Sequence, residues 1–305
     1  MDHLLKVDTL LEEPTKVWNL MPESIDATTA LDAQYHAGMR DQWIESNQVN
    51  TIRNLTPHRR GVQWFCEEMP PQCVLLEIGA GVGFDANLTI RTIKDSNLKA
   101  YLLSEIDPTL VEYAKNSQET LQKDARVIAC CLDGGNLRLA DSQVDRILCV
   151  AALHHLPDLR QSLLEMDRIA KPGSRFVFTM EPNRFWLSFI AKLKPLYKKR
   201  IGSSTSSAAD EQAEGFTWEE MILMGSRQGW VLKELEPVWF LLGFIHYGLE
   251  AMYRLFRLRK RIVLPRKMEK ALWILDRIIL NLPGMKHLAW HYSAMYQKSR
   301  LAEGF

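Results

Sequence analysis

The period of the apolar positions changes twice along the chain. Up to residue 70 they recur at helical spacing among many polar residues, and Met69-Pro70-Pro71 breaks the pattern. From there short, continuous apolar runs alternate with helical stretches. VLLEI (74–78), AYLLSEI (100–106), ARVIACCL (125–132), VDRILCVAAL (144–153) and RFVFTM (175–180) read as buried strands. Between them, Pro108 to Gln122 carries Leu110, Val111, Ala114 and Leu121 at helical spacing, and LRQSLLEMDRIA (159–170) is an amphipathic helix stopped by Lys171-Pro172-Gly173. Past residue 182 the rhythm breaks. NRFWLSFIAKLKPLYKKR (183–200) reads as a basic amphipathic helix, and IGSSTSSAADEQAEG (201–215) as a small, polar loop. FTWEEMILMGSRQGW (216–230) is a helix opened by the capping box Thr217-x-x-Glu220. WVLKELEP (230–237) and AWHYSAMYQK (289–298) are the last strands, separated by an apolar, basic, helix-like segment that runs to Pro283.

Strands alternating with helices at these spacings predict a parallel sheet covered on both faces. In such sheets ligands bind beyond the carboxyl ends of the strands. The positions to watch are therefore Gly79–Gly83, Glu105, Asp133, Ala152–His155 and Glu181. The stretch LLEIGAGVGFD (75–85) sets Gly79, Gly81 and Gly83 just after a strand. Glycine tolerates positive φ and lets backbone approach a ligand, and a helix starting there aims its free N–H groups outward. The dinucleotide fingerprint G-x-G-x-x-G puts its third glycine one residue later than this chain does. The turn alone leaves a dinucleotide, S-adenosylmethionine (SAM) or no ligand open. The second strand ends LLSEIDP, with Glu105 22 positions after Gly83. A carboxylate there can accept hydrogen bonds from two ribose hydroxyls, which either cofactor offers. Asp107, directly before Pro108, reads as a turn or cap residue.

At this point the chain resembles the class I SAM-dependent methyltransferases, the type 11 group in particular, over residues 70–182 and more loosely to 235. That family's ExGxGxG stands here as Glu77-Ile78-Gly79-Ala80-Gly81-Val82-Gly83. Its second acidic site, D-x-x-P, stands as Glu105-Ile106-Asp107-Pro108, and its third as Asp133 in CLDGGNLRL. The run from the fourth strand through HHLPD to KPG follows the family closely. The resemblance implies an α/β fold: a Rossmann-like, seven-stranded, mostly parallel sheet with helices on both faces and a helical lid. It implies SAM as cofactor and S-adenosylhomocysteine as product, held by Glu77, Gly79, Ala80, Gly81, Gly83, Glu105, Ile106, Asp133, Gly134 and Ala151. Asp133 would meet the adenine amine, with Gly134 and Leu137 beside the base. Glu77 would organise water or N–H groups near the methionine ammonium. Methyl transfer gains much from alignment alone, and a hydroxyl acceptor also needs a base. His154 and His155 are the candidates for that role or for lining the pocket. Glu181 and Asn183 of MEPN are candidates for substrate contact, with a helix cap as the alternative for Asn183. An NAD-dependent oxidoreductase and a non-catalytic SAM-binding regulator are the competing readings.

The resemblance divides the chain into a helical lid and substrate segment (1–69), a SAM-binding core (70–182), and the rest of the sheet (183–305). Insertions at 183–215 and 237–288 would form a substrate cap. Tyr35 and Trp43 of YHAGMRDQWIESN are expected to close over the site. AKLKPLYKKR (191–200) holds five cations and no acid, and RLFRLRKRIVLPRKMEK (254–270) holds eight against Glu269. Both adjoin aromatic, apolar stretches. Such helices suit a membrane interface, a lipid-like substrate, a subunit contact, or the solvated face of a lid. DEQAEGFTW resembles a stretch in relatives linked to glycan and lipid biosynthesis, so the expected acceptor is a small-molecule, glycan or lipid-linked oxygen, with N- or C-methylation as the alternative. The formal net charge of +1 over 305 residues gives no signal for nucleic acid, and none is expected. Five cysteines without a CxxC pair read as reduced core residues of a cytoplasmic protein. The sequence offers no HExxH, P-loop or zinc pattern, so no metal is expected. The first residues lack signal-peptide features, and no apolar run suffices to span a bilayer.

Overall fold

In the computed structural model the apolar runs pair into one sheet of eight strands: β1 (Val17–Asn19), β2 (Cys73–Ile78), β3 (Leu98–Glu105), β4 (Val127–Cys131), β5 (Val144–Val150), β6 (Ala170–Pro182), β7 (Trp230–Val238) and β8 (His291–Lys298). The structure describes residues 4–23, 56–117, 119–156, 158–190, 192, 215–256, 258 and 262–300, with residues 30, 33, 34, 37, 38, 40 and 44. The strand order is β1-β4-β3-β2-β5-β6-β8-β7. Strands β1 to β6 pair in parallel, and β8 is antiparallel to both β6 and β7. Seven strands were expected, and the eighth is β1. It adds to the edge of β4 through Val17–Ala129, Trp18–Cys130 and Asn19–Cys131. Three residues carry no measurable alternation, so the sequence reads through them as part of a helical region.

All residues of β2 and β4 are buried, as parallel strands covered by helices on both faces must be. One face packs Leu76, Leu102, Ile128 and Phe178, and the other Leu75, Leu103, Ala129 and Val177. The five cysteines are free thiols, and Cys73, Cys130, Cys131 and Cys149 are buried. Burial pushes the Cys66, Cys73, Cys130 and Cys131 thiols up to about 12, so they stay protonated and unreactive.

The chain leaves β2 toward β3 and β4 on one side, then returns to β5 and β6 on the other. The crevice between the carboxyl ends of β2 and β5 is thus the switch point. A helix over Thr56–Cys66 crosses the sheet beside it. Gly61 lets this helix approach closely, since a Cβ there would lie 2.8 Å from Thr179 Cγ2. Two arginines hold the carbonyl end of the helix. Arg146 donates to Phe65 O (2.9 Å) and Glu68 O (2.7 Å), and Arg175 to Trp64 O (2.8 Å) and Glu67 O (3.0 Å). Cations at a helix C-terminus complement its dipole.

The segment after β7 folds as two helices, Leu241–Leu255 and Arg266–Leu280. Two buried acids of the second helix cap other elements. Glu269 accepts from the Thr56 N–H at 3.1 Å, and Asp276 accepts from the N–H groups of Phe240, Leu241 and Leu242 at 2.8–3.1 Å. The predicted capping box of the Trp218–Leu223 helix is present, with both Thr217–Glu220 bonds made. Residues 184–190 are helical, while most of 191–214, including nearly all of the polar loop, lies outside the described residues.

Candidate active site

The glycine turn between β2 and the Phe84–Thr92 helix is built as the sequence requires. Gly79, Gly81 and Gly83 have φ of +72°, +54° and +76°, in the region that L side chains avoid. The Ala80 N–H donates to Ser104 O at 2.9 Å, tying the turn to the end of β3. A Cβ on Gly79 would meet the Ala152 Cβ at 2.6 Å. The turn after β2 and the exit of β5 therefore touch across the switch point.

Three acids surround this crevice. Glu105, at the end of β3, accepts from the Gly81 N–H at 2.9 Å and the Ile106 N–H at 3.1 Å. Glu77, 1% exposed, accepts from the Tyr101 hydroxyl, and burial beside Glu77 pushes that phenol well above its ordinary range. Asp133 accepts from the Gly135 N–H at 2.8 Å and closes a turn through its own carbonyl and the Asn136 N–H. Gly134 lies against Leu156, which a Cβ would meet at 2.6 Å. Asp107 is the cap that its place before Pro108 suggested, accepting from the Thr109 and Leu110 N–H groups at 2.8 and 3.1 Å.

The exit of β5 is held by Glu181. This carboxylate is fully buried. Its Oε1 accepts from the Ala152 N–H (3.0 Å) and the Leu153 N–H (2.9 Å), and its Oε2 from the His154 N–H (3.2 Å) and His154 Nδ1 (2.9 Å). Glu181, expected to contact substrate, has its oxygens bonded to this backbone turn and to the imidazole. Asn183 takes the alternative expected of it, a helix cap. Its amide donates to His287 O (2.8 Å) and Ala289 O (2.7 Å), and its oxygen accepts from the Phe185 N–H (3.0 Å), so it caps the helix that follows. The two candidate histidines pack against each other with centroids 4.0 Å apart, and His154 bonds to the Glu181 carboxylate. Ala151 (φ +50°) and Met180 (φ +59°) are non-glycine residues in the left-handed region at the ends of neighbouring strands, where strain gathers at functional sites.

Several residues near the site escaped the sequence reading. Arg40 donates to Asp107 Oδ2 through Nε (3.1 Å) and Nη2 (2.5 Å), bringing the N-terminal segment to the β3 end. His58 Nδ1 lies 3.3 Å from Asp85 Oδ1, just past the glycine turn. His291 donates through Nδ1 to Met180 O (3.1 Å) and accepts at Nε2 from the Tyr247 hydroxyl (2.6 Å). Burial pulls its pKa down to about 3. Tyr35 and Trp43 lie outside the described residues.

Comparison with known proteins settles the class. The profile of a family described as methyltransferase domain matches residues 76–178, from within the first predicted strand to within the fifth. The chain carries a class I SAM-dependent methyltransferase domain. Methyltransferase GfsG of Streptomyces halstedii is 30% identical over 105 residues, covering 33% of this chain and 35% of that protein. The chain thus spans about a third of the length of this curated relative. Among solved structures, a proposed sarcosine dimethylglycine methyltransferase from Galdieria sulphuraria aligns with a TM-score of 0.52 at 15% identity, covering 79% of this chain and 86% of that one. A chain of the complex between the Haloferax volcanii Trm112 methyltransferase activator and its proposed methyltransferase aligns at 0.50 and 13% identity, covering 91% and 99%. At these identities the likeness shows the fold.

The residues of the methyltransferase domain fit SAM. Three positive-φ glycines keep side chains away from the β2 turn, and the buried Glu105 carboxylate stands beside Gly81 as an acceptor suited to ribose hydroxyls. The cofactor, when bound, supplies an electrophilic methyl on sulfonium. The residues that would hold it are Glu105 toward the ribose and Asp133 and Gly134 toward the adenine, with the Ala151–His155 turn on the acceptor side.

Proposed function

We propose that this chain transfers the methyl group of SAM to an oxygen of a small-molecule, glycan or lipid-linked acceptor, with His154 as the base. The observation that carries the reading is the bond between His154 Nδ1 and the buried Glu181 carboxylate. A carboxylate acceptor at Nδ1 fixes the proton there and leaves Nε2 as the basic nitrogen. A hydroxyl must lose its proton as the methyl arrives, and a carboxylate-oriented imidazole meets that need. Ala152, Leu153 and His154 are held by the same carboxylate, so the base and its backbone are placed as one unit. In this reading the N-terminal segment and the two insertions form the lid over the acceptor. Arg40 on Asp107 supports that placement for the N-terminal segment. Reduced, buried thiols agree with a cytoplasmic setting.

The test uses methyl-labelled SAM with an extract of the source cells, divided into lipid, aqueous, protein and nucleic-acid fractions. Label is expected in the lipid or the small-molecule fraction with the native chain. The His154→Ala variant should lose most of that label while binding SAM as before. Full transfer by His154→Ala would remove the base, and label in protein or nucleic acid would overturn the acceptor class.

A further inference from the structure

The Arg266–Leu280 helix buries two acids beside its apolar contacts, Leu272, Trp273 and Leu280, and leaves other apolar side chains outside. Its buried face carries the acids Glu269 and Asp276, while Ile274 and Ile278 on its other side are 50% and 61% exposed. The burial of the acids has a cause: both reach inward to cap the N-terminal N–H groups of other elements, at Thr56 and at residues 240–242. The outer face is left with no acid. Lys267, Lys270, Ile274 and Ile278 are spaced three, four and four residues apart, so they share one side of the helix. That side runs from ammonium groups at its start to branched apolar groups at its end. Met268 and Leu275, seven residues apart on the helix, are exposed beside it, and Leu282 is exposed just past the helix end. The neighbouring Leu241–Leu255 helix ends in exposed Leu255 and Phe256.

We infer that this outer face docks on the surface of an anionic phospholipid bilayer. Exposed apolar rows of this extent mark interaction surfaces. Charge chooses the occupant. Within this helix Arg266, Lys267, Lys270 and Arg277 are exposed, and its two acids are the buried caps. A second copy meeting this face by two-fold symmetry would set like charges against each other. Nucleic acid would satisfy the cations and leave the isoleucines in water. An anionic bilayer interface meets both, with headgroups beside the lysines and acyl chains under the apolar rows. Among the described residues no helix is long and apolar enough to cross a membrane, so the contact is interfacial. The inference goes beyond methyl transfer, since docking needs no turnover.

The test is flotation of the full chain with vesicles of phosphatidylcholine alone and of phosphatidylcholine with phosphatidylglycerol, at low and high salt. The chain should float with the anionic vesicles, lose binding as salt rises, and stay behind with phosphatidylcholine alone. Lys267→Glu/Lys270→Glu should weaken partitioning by at least about tenfold, and Ile274→Glu/Ile278→Glu should abolish it, both with SAM affinity unchanged. If the isoleucine variant loses SAM binding through misfolding, the lysine variant decides. No flotation with either vesicle would overturn the inference, as would full flotation of the lysine variant. Self-association in sedimentation velocity that the isoleucine variant removes, without flotation, would make the occupant a second copy.

Discussion

Glu181 Oε2 lies 2.9 Å from His154 Nδ1, and the same carboxylate accepts from three consecutive backbone N–H groups at the exit of β5. Every partner is a donor, so the site asks for a group that only accepts. Glu181→Gln keeps the shape but brings an NH2 group against those donors. Stability should fall by about 1–3 kcal/mol, the range for a buried polar group left unmatched. Methyl-transfer kcat should fall further than stability alone explains, while SAM affinity, read by calorimetry, stays near the native value. A Glu181→Gln protein with native turnover would show that the carboxylate does not set the imidazole.

Gly79 and Ala152 meet across the switch point, where a Cβ on the glycine would stand 2.6 Å from the alanine methyl. Gly79→Ala adds that clash to a backbone at φ +72°. The variant should melt lower and bind SAM weakly. Ala152→Gly in the same chain relieves the contact and leaves the φ strain, so it should restore part of the melting temperature. Rescue that is absent or complete would show that one of the two effects accounts for the whole loss.

His291 sets a pH dependence whose sign follows from burial. Its folded-state pKa is lowered to about 3, below the roughly 6.5 of an unfolded histidine. Between those values the unfolded chain binds the proton and the folded chain does not. Stability from this group is therefore full above about pH 6.5 and declines as pH falls toward 3, by at most about 1.4 kcal/mol per unit. Replacing His291 with Gln should flatten the slope of unfolding free energy against pH in that window. An unchanged slope would mean that His291 takes up its proton in the folded state.

The sheet was legible because buried parallel strands are short apolar runs, as β2 to β6 are, and because the apolar and aromatic stretches at β7 and β8 also read as strands. β1 did not, since three residues have no period. Positions where a local rule applies also read well: the Thr217–Glu220 box, the three positive-φ glycines, and Asp107 as a cap. The bonds of Glu181 were not legible, because an acid at a strand end looks the same in sequence whether or not it holds a backbone turn. Arg40 with Asp107, 67 residues apart, and Tyr247 with His291, 44 apart, are tertiary contacts with no local signature. The Arg266–Leu280 helix was half legible. Its cations could be counted, but the inward turn of Glu269 and Asp276 depends on helix ends elsewhere in the chain.

The central claim is that SAM binds the turn after β2, with Glu105 as the acceptor for its ribose. The most direct measurement is calorimetric titration of SAM into the native chain and into Glu105→Ala. The native chain should bind SAM, and the variant should bind it at least about tenfold more weakly, as loss of hydrogen bonds to a charged group implies, while staying folded but melting lower because the Gly81 and Ile106 N–H groups lose their acceptor. Equal affinity in the two proteins would contradict the ribose assignment, and no binding to the native chain would contradict the site itself.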